Sequence, residues 1–340
     1  MPNTLDYYNT KNLKNKIMID VRSPYEFKES TIPGSINIPV LLDEERKKVG
    51  TLYVNKKIDE AKQFAVNSIS KRLPEIFSKF LDISKNYENI IIFCARGGYR
   101  SKSLSIFLNS LDISNFRIEG GYKSYRNYVL NNMDNVISTI TPIVLYGNTG
   151  CGKTKILSEL KNKNLPVIDL EGLAVHRGSI LGAVGLNEQP TQKMFENLLF
   201  EELSLFKNGY VFLEGESKRI GKIILPELLY QKMASSINIK IDAPIEYRIE
   251  NLVEEYASPK NKESIAEAIK RMNKFISNET VKKLLDALNN NDFAYIAKEL
   301  CINYYDKRYK NRIENYDYEF TNYDLEKVTN EIIAKTKKYF

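Results

Sequence analysis

Short apolar runs alternate with longer stretches of helical spacing along the first third of the chain, the pattern of a sheet whose strands are joined by helices. Runs at residues 17–21, 35–38, 89–93 and 116–118 read as strands, and apolar residues recur at helical spacing across 61–80 and again after Ser101. A second series starts at Pro142, with buried-strand runs at 143–146, 167–170, 210–213 and 237–241. The restart across 131–141 marks a boundary. Beyond Pro244 the pattern becomes helical and charged: residues 265–276 and 281–288 carry apolar positions between Lys and Glu, and Asn289-Asn290-Asn291-Asp292 makes a turn. The expected architecture is α/β in two domains, residues 1–134 and 135–340, with a helical C-terminal region packed on the second sheet. No internal repeat or low-complexity segment interrupts it.

Composition agrees with two cores, because 340 residues exceed what one hydrophobic core usually supports. The 50 basic against 43 acidic residues leave a net charge of +7, a bias towards an anionic partner that the base composition of the coding DNA explains equally well. Three cysteines, Cys94, Cys151 and Cys301, are odd in number and far apart, which points to a reducing compartment rather than a disulfide framework. One histidine and no Cys-x-x-Cys pair argue against a structural zinc site. With no apolar signal core at the N-terminus and no run approaching a membrane span, the expected address is the cytoplasm, without a membrane partner.

The first chemical feature is Ile91-Ile92-Phe93-Cys94-Ala95-Arg96-Gly97-Gly98-Tyr99-Arg100-Ser101, an apolar strand that ends at a cysteine and enters a glycine-containing loop before a helix. Curled amides and a helix N-terminus stabilise an anion there, whether a thiolate, a persulfide or an oxyanion. Arg96 and Arg100 are expected to add positive charge around Gly97 and Gly98 and so favour the Cys94 thiolate as a nucleophile. The five residues between Cys94 and Arg100 also match the cysteine-arginine spacing of tyrosine phosphatases, although Phe93 stands where that class usually has histidine.

The second feature is Pro142-Ile143-Val144-Leu145-Tyr146-Gly147-Asn148-Thr149-Gly150-Cys151-Gly152-Lys153-Thr154, a buried strand, a glycine-rich turn and a helix start that fit G-x-x-x-x-G-K-[ST]. Gly147 and Gly152 let backbone amides wrap phosphate oxygens, Lys153 neutralises them, and Thr154 can ligate magnesium. The acidic partner of such a magnesium is sought at Asp169 or Glu214, each near the end of an apolar strand. A nucleoside triphosphate, a lipid diphosphate or a phosphate-selenium compound would each satisfy the loop. A polar cluster from Asp169 to Ser179 holds the single histidine, and His176, Arg177 and Ser179 are candidate diphosphate or tRNA contacts. The stretch 304–312 interleaves tyrosines with Lys307, Arg308, Lys310 and Arg312, a composition able to stack unpaired bases and neutralise phosphates.

Three stretches resemble the rhodanese domains: Ile19-Asp20-Val21-Arg22-Ser23-Pro24-Tyr25-Glu26-Phe27, Ile32-Pro33-Gly34-Ser35-Ile36-Asn37-Ile38-Pro39 and Glu119-Gly120-Gly121-Tyr122-Lys123-Ser124-Tyr125. In that family the loop cysteine carries a persulfide. Asp20, Arg22 and Glu26 are expected to form strand-end salt bridges that shape the loop. The insertion Leu41-Leu42-Asp43-Glu44-Glu45-Arg46-Lys47-Lys48-Val49-Gly50-Thr51-Leu52-Tyr53, the cysteine loop, the phosphate loop, His-Arg-Gly-Ser and Tyr304-Tyr305-Asp306-Lys307-Arg308-Tyr309 together resemble the bacterial tRNA 2-selenouridine synthases. That resemblance implies a rhodanese-like domain followed by a P-loop NTPase-like α/β domain, and a transferase that converts wobble 2-thiouridine in tRNA to 2-selenouridine. It implies selenophosphate and geranyl diphosphate as co-substrates, an S-geranyl intermediate, a selenophosphate-producing enzyme as a partner and no tightly bound cofactor, with magnesium allowed. The competing classes are a sulfurtransferase or Cys-x5-Arg phosphatase acting on small molecules, and a non-catalytic nucleotide-binding adaptor.

Overall fold

The computed structural model describes residues 3–206, 208–308 and 315–340, with the side chain of Arg308 excepted. The chain forms two compact units, one of residues 1–133 and 196–198, the other of residues 134–195 and 199–340. The fold class is α/β with a helical region late in the chain.

In the first unit, five strands are introduced in chain order as β1 (Asn3–Leu5), β2 (Lys16–Asp20), β3 (Ile36–Asn37), β4 (Asn89–Phe93) and β5 (Phe116–Ile118). They pair in parallel in the order β1-β5-β4-β2-β3, with Ile19 opposite Ile92 and Asp20 opposite Phe93. A parallel sheet covered on both faces needs continuous apolar strands, and β4 at its centre buries its last four residues. Three helices, Asp43–Val54, Ile58–Ser70 and Leu73–Ser84, lie in the chain between β3 and β4. They place Val49, Ala61, Ile76 and Phe80 in one buried cluster with Ile90 and Ile92. The helical spacing across 61–80 is therefore two helices. Pro74 in the first turn of the second lacks the N–H that a continuous helix would need, so the chain breaks at Lys71 and Arg72.

The stretch across 131–141, read from sequence as the boundary, contains the division between the two units, at 133/134, and is helical for most of its length. Residues 131–139 finish the helix Gly121–Thr139, within which the two units divide. In the second unit β6 (Thr141–Tyr146), β7 (Val167–Ile168), β8 (Tyr210–Glu214), β9 (Arg219–Ile220), β10 (Ile223–Ile224), β11 (Ile237–Asp242) and β12 (Tyr318–Thr321) follow. Five of these make a parallel sheet in the order β12-β11-β6-β8-β7, and β9 pairs antiparallel with β10. β7 stops two residues before the expected 170, because Asp169 caps the short helix Leu170–Ala174 by accepting from the Gly172 N–H.

After Pro244 the helices Ile245–Tyr256, Lys262–Arg271, Asn278–Asn289 and Phe293–Leu300 enclose a core of their own, with Ile265, Ile269, Leu284 and Leu300 buried. The chain then returns to the sheet, which the helical pattern did not predict. β12 pairs with β11, and the helix Leu325–Thr336 buries Val328 and Ile332 in the cluster that holds Ile143 and Phe212. β12 is too short and too polar on its outer face for four residues of alternation to stand out. Among the described residues no helix is long and apolar enough to cross a membrane.

Candidate functional site

β4 ends at Phe93, and the chain turns at Cys94 towards the helix Tyr99–Asn109, whose N-cap is Gly98. Cys94 is 3% exposed, its Sγ 3.2 Å from the Ser101 Oγ and 3.9 Å from the Gly98 carbonyl. The third rhodanese-like motif holds this loop: the Tyr122 and Lys123 N–H groups donate to the carbonyls of Cys94 and Ala95 at 2.9 and 3.0 Å. Gly121 makes the approach possible. Its φ is +62°, and a Cβ there would lie 2.1 Å from the Cys94 carbonyl oxygen and 2.6 Å from the Gly97 nitrogen.

The charges around the loop differ from expectation. Arg96 is exposed, but Arg100 donates to both oxygens of Glu26 at 2.5 and 3.1 Å, so its charge is offset rather than free for the thiol. Burial raises the Glu26 pKa, yet Arg100, the Ser23 N–H and Arg46 outweigh it and hold the carboxyl below its ordinary value. Arg22 donates to Asp20 at 2.6 Å and to the Ser30 carbonyl at 2.5 Å, and it lies over the Tyr122 ring at 4.2 Å. Asp20 and Arg22 brace the strand end, whereas Glu26 reaches the arginine that ends the cysteine loop.

β6 lies between β11 and β8, and the phosphate loop leaves its C-terminal end, where open α/β sheets bind ligands. The loop runs into the helix Lys153–Asn162, with Gly150 and Gly152 at φ +85° and +88°. Close packing demands the first glycine, since a Cβ on Gly147 would lie 2.2 Å from the Ile241 carbonyl oxygen. Side chains distant in sequence hold the loop carbonyls: Arg248 Nε on Thr149, Asn251 on Gly150 and Asn322 on Cys151, at 2.9, 2.9 and 3.0 Å. Arg248 is itself fixed by two bonds to Asp306, at 2.9 and 2.7 Å. Cys151 is buried at 1% exposure, which suits an incidental small residue. Lys153 Nζ donates to the Gly147 carbonyl at 2.8 Å, across the turn that a phosphate group would fill.

A cleft of about 400 Å³ opens over this loop, with Lys153, Lys155 and Arg177 on its wall together with Glu171, Glu216 and Glu255. Neither of the acidic residues expected beside Thr154 meets it in the structure. Asp169 is occupied as a helix cap, and the fully buried Glu214 accepts from the Leu170 N–H at 2.9 Å; neither lines the cleft. Burial first, then the charge of Asp169, drives the Glu214 pKa well above its ordinary value. Instead, Thr154 Oγ1 meets Glu171 at 3.3 Å. Burial, then the charge of Glu216 alongside, pushes the Glu171 carboxyl up to about 8 against the pull of Lys153. A divalent cation fits this donor set, two close carboxylates and a hydroxyl beside a phosphate loop, because it would neutralise the repulsion between them. Among the described residues no group of three or more His, Cys, Asp or Glu side chains could hold a metal.

Of the His-Arg-Gly-Ser stretch, only Arg177 reaches the cleft. It pairs with Glu255, donates to the Val184 carbonyl at 2.8 Å and lies over the Tyr256 ring at 5.2 Å. His176 does not line the cleft: its Nδ1 accepts from the Gly178 N–H at 3.1 Å, and burial, then the charge of Arg177, lowers its pKa and favours the neutral ring. Ser179 is buried outside the cleft lining. Residues 309–314 and the Arg308 side chain lie outside the described residues, and within 304–312 the first two tyrosines are not free to stack on bases. Tyr304 and Tyr305 are buried at 7% and 3% in the helical core, while Lys307 is exposed. The contributions of Arg248, Asn251, Glu255 and Asn322 were invisible in the sequence, because ordinary helical and loop positions acquire these roles only by packing against the loop.

Comparison with known proteins agrees with this arrangement. A family profile described as the AAA domain of tRNA 2-selenouridine synthase matches residues 140–339, and a rhodanese-like domain profile matches residues 5–128. A protein of Sulfurovum sp. (strain NBC37-1) named tRNA 2-selenouridine synthase is 32% identical over 336 residues, covering 89% of this chain and 90% of that protein. Proteins of the same name from Nitrosomonas eutropha and Nitrosomonas europaea are 36% and 35% identical over 244 residues, covering 70% of this chain. Those two alignments span 62% and 63% of the Nitrosomonas proteins' own length. With both halves matched in order and one relative aligned over nearly its whole length, the chain belongs to the tRNA 2-selenouridine synthase family.

Proposed function

We propose that the protein is a tRNA-modifying transferase that replaces the sulfur of a wobble 2-thiouridine with selenium from selenophosphate, through an S-geranyl intermediate formed from geranyl diphosphate. The observation that carries this reading is the pairing of a cysteine loop and a phosphate cleft in one chain of this family. The cleft, with Lys153 at its turn, suits the diphosphate: the thiocarbonyl sulfur attacks C1 of the geranyl group, the C–O bond breaks, and Lys153 and the loop amides take up the charge of the departing diphosphate. Arg177, half-buried on the cleft wall, is positioned to pair with the same anion. Thr154, Glu171 and Glu216 would hold a divalent cation, which when bound neutralises diphosphate charge.

Geranylation converts a poor thiocarbonyl leaving group into a thioether that departs as geranyl thiol when the selenium of selenophosphate attacks the uridine C2, and water then cleaves the P–Se bond to release phosphate and leave the selenocarbonyl. Cys94 serves this second step by handling selenium. Its loop supplies a glycine turn and a helix start for an anionic chalcogen, and the Ser101 hydroxyl lies 3.2 Å from its sulfur. Selenophosphate implies a partner enzyme that makes it, and the tRNA substrate accords with the basic excess. The phosphatase reading is weakened by Arg100, since both Glu26 oxygens already occupy the guanidinium that would have to bind phosphate.

Incubation with thiolated tRNA, geranyl diphosphate and selenophosphate is expected to produce mass shifts at a single uridine, first the geranyl adduct and then selenium for sulfur. No shift, together with phosphate release from small phosphoesters, would discard the proposal in favour of the phosphatase.

A further inference from the structure

We propose that Tyr99, Arg96, Arg117 and Lys123 form the platform that receives the target nucleotide at the Cys94 loop, the ring stacking on an unpaired base and the cations meeting the phosphates beside it. The inference rests on the reading of the protein as a tRNA-modifying enzyme and adds the surface on which the uridine is presented to Cys94.

The cations around the loop divide into two groups. Arg22 is committed to Asp20, and Arg46 and Arg100 are committed to Glu26. Arg96, Arg117 and Lys123 have no acidic partner among the described residues. Arg96 and Lys123 are exposed, whereas Arg117 donates to the Gly97 carbonyl at 3.1 Å and has a buried Nε without a hydrogen-bond partner. The backbone gathers them: the Lys123 N–H bonds the Ala95 carbonyl at 3.0 Å on one side of Arg96, and Arg117 holds Gly97 on the other. Glu119, the one acid of the closing rhodanese-like motif, offsets at most one of these charges. Positive charge left uncompensated around one loop favours an anion, and a nucleic-acid backbone supplies one at every nucleotide.

Tyr99 adds an aromatic face. It is the first residue of the helix Tyr99–Asn109, directly after Gly98, whose carbonyl lies 3.9 Å from the Cys94 Sγ. It is 71% exposed, and among the described residues its ring packs on no other aromatic. Tyr304 and Tyr305, by contrast, are enclosed in the helical core. A small anion such as free selenophosphate needs the cations but has no use for the ring. An unpaired base uses both, because every base offers a face for stacking.

The chemistry requires the same placement. Cys94 is 3% exposed, so a base still stacked within its own strand cannot bring its C2 to the sulfur. It must turn out of the stack and be held at the mouth of the loop, and a ring one residue beyond Gly98 repays the lost stacking there.

The test uses the full-length protein, selenophosphate, and an anticodon stem-loop RNA carrying S-geranyl-2-thiouridine at an unpaired position. Tyr99→Ala is expected to raise the KM for this RNA about tenfold or more, and Tyr99→Phe to restore it to within about twofold of wild type, since the ring rather than the hydroxyl stacks. Fluorescence anisotropy of the labelled RNA should show Arg96→Ala and Lys123→Ala each flattening the slope of log affinity against log salt by about 0.7, the loss of one single-stranded phosphate contact. Thermal melting confirms that the variants are folded. A wild-type KM in Tyr99→Ala, or an equal loss in Tyr99→Phe, overturns the stacking platform. An unchanged salt slope with a raised KM for selenophosphate in the arginine and lysine variants shows that the cations serve the free anion, and overturns the RNA site. In each of these cases wild type still forms 2-selenouridine and the proposed function stands. If wild type forms none, the proposed function fails, and RNA affinity alone, lost in Tyr99→Ala and kept in Tyr99→Phe, decides the platform.

Discussion

The guanidinium of Arg100 and the carboxylate of Glu26, 74 residues apart in sequence, form a two-bond ion pair at 2.5 and 3.1 Å beside the Cys94 loop, with side chains only 15% and 22% exposed. The loop thus owes its shape to the first rhodanese-like motif as much as to its own glycines. Glu26→Gln leaves Arg100 without its counter-charge, at a cost of about 1–3 kcal/mol. Because the folded-state pKa of Glu26 is below the ordinary 4.5, its stabilisation is full above that value and lost as pH falls through the folded value. Urea unfolding should therefore show the variant weaker than wild type at pH 7, with the gap closing below pH 4.5.

Gly121→Ala is expected to be far more damaging than its chemistry suggests. The added methyl would stand 2.1 Å from the Cys94 carbonyl oxygen at a φ of +62°, so the closing motif must move off the loop. The expected cost exceeds about 2 kcal/mol, whereas Gly98→Ala, with nothing within 4 Å of the new Cβ, should cost under about 1 kcal/mol. Thermal melts of the two variants decide it.

Glu214→Gln should stabilise the protein. The native carboxyl stays protonated far above 4.5 because of burial and the charge of Asp169, while the unfolded chain ionises near 4.5. Stability contributed by this group is thus fully present below 4.5 and falls as pH rises. The amide removes that penalty, so the variant should unfold at higher urea than wild type at pH 8 and at the same urea near pH 4.

Lys153→Ala and Cys94→Ala should separate the two chemical steps. The first should abolish geranylation of thiolated tRNA, and the second should leave geranylation intact and impair the replacement of sulfur by selenium. Mass spectrometry of the modified uridine reads both, and loss of both activities in the cysteine variant would show that the division of labour is wrong.

Most strands of both parallel sheets were legible because buried strands must be continuously apolar, whereas the short edge strands β1 and β12 were not; Cys94 and Lys153 were legible because local chemistry, a strand then a glycine turn then a helix start, announces itself at short range. The charges that act on those sites were not. Along the chain Arg100 reads as a charge for the thiol, Asp169 or Glu214 as the acid beside Thr154, and the 304–312 tyrosines as stacking residues, whereas in the fold Arg100 is paired with Glu26, both acids accept from backbone amides, and Tyr304 and Tyr305 are enclosed in the helical core.

The sequence by itself determined where a thiol and a phosphate loop occur, since each depends on residues within about a dozen positions of one another. Only the tertiary structure decided which carboxylates face which cations, because a side chain's charge is neutralised or exposed by neighbours that are adjacent in space and far apart along the chain. Glu171 stands beside Thr154 and Glu216, and Arg248 beside Thr149 and Asp306, through folding alone.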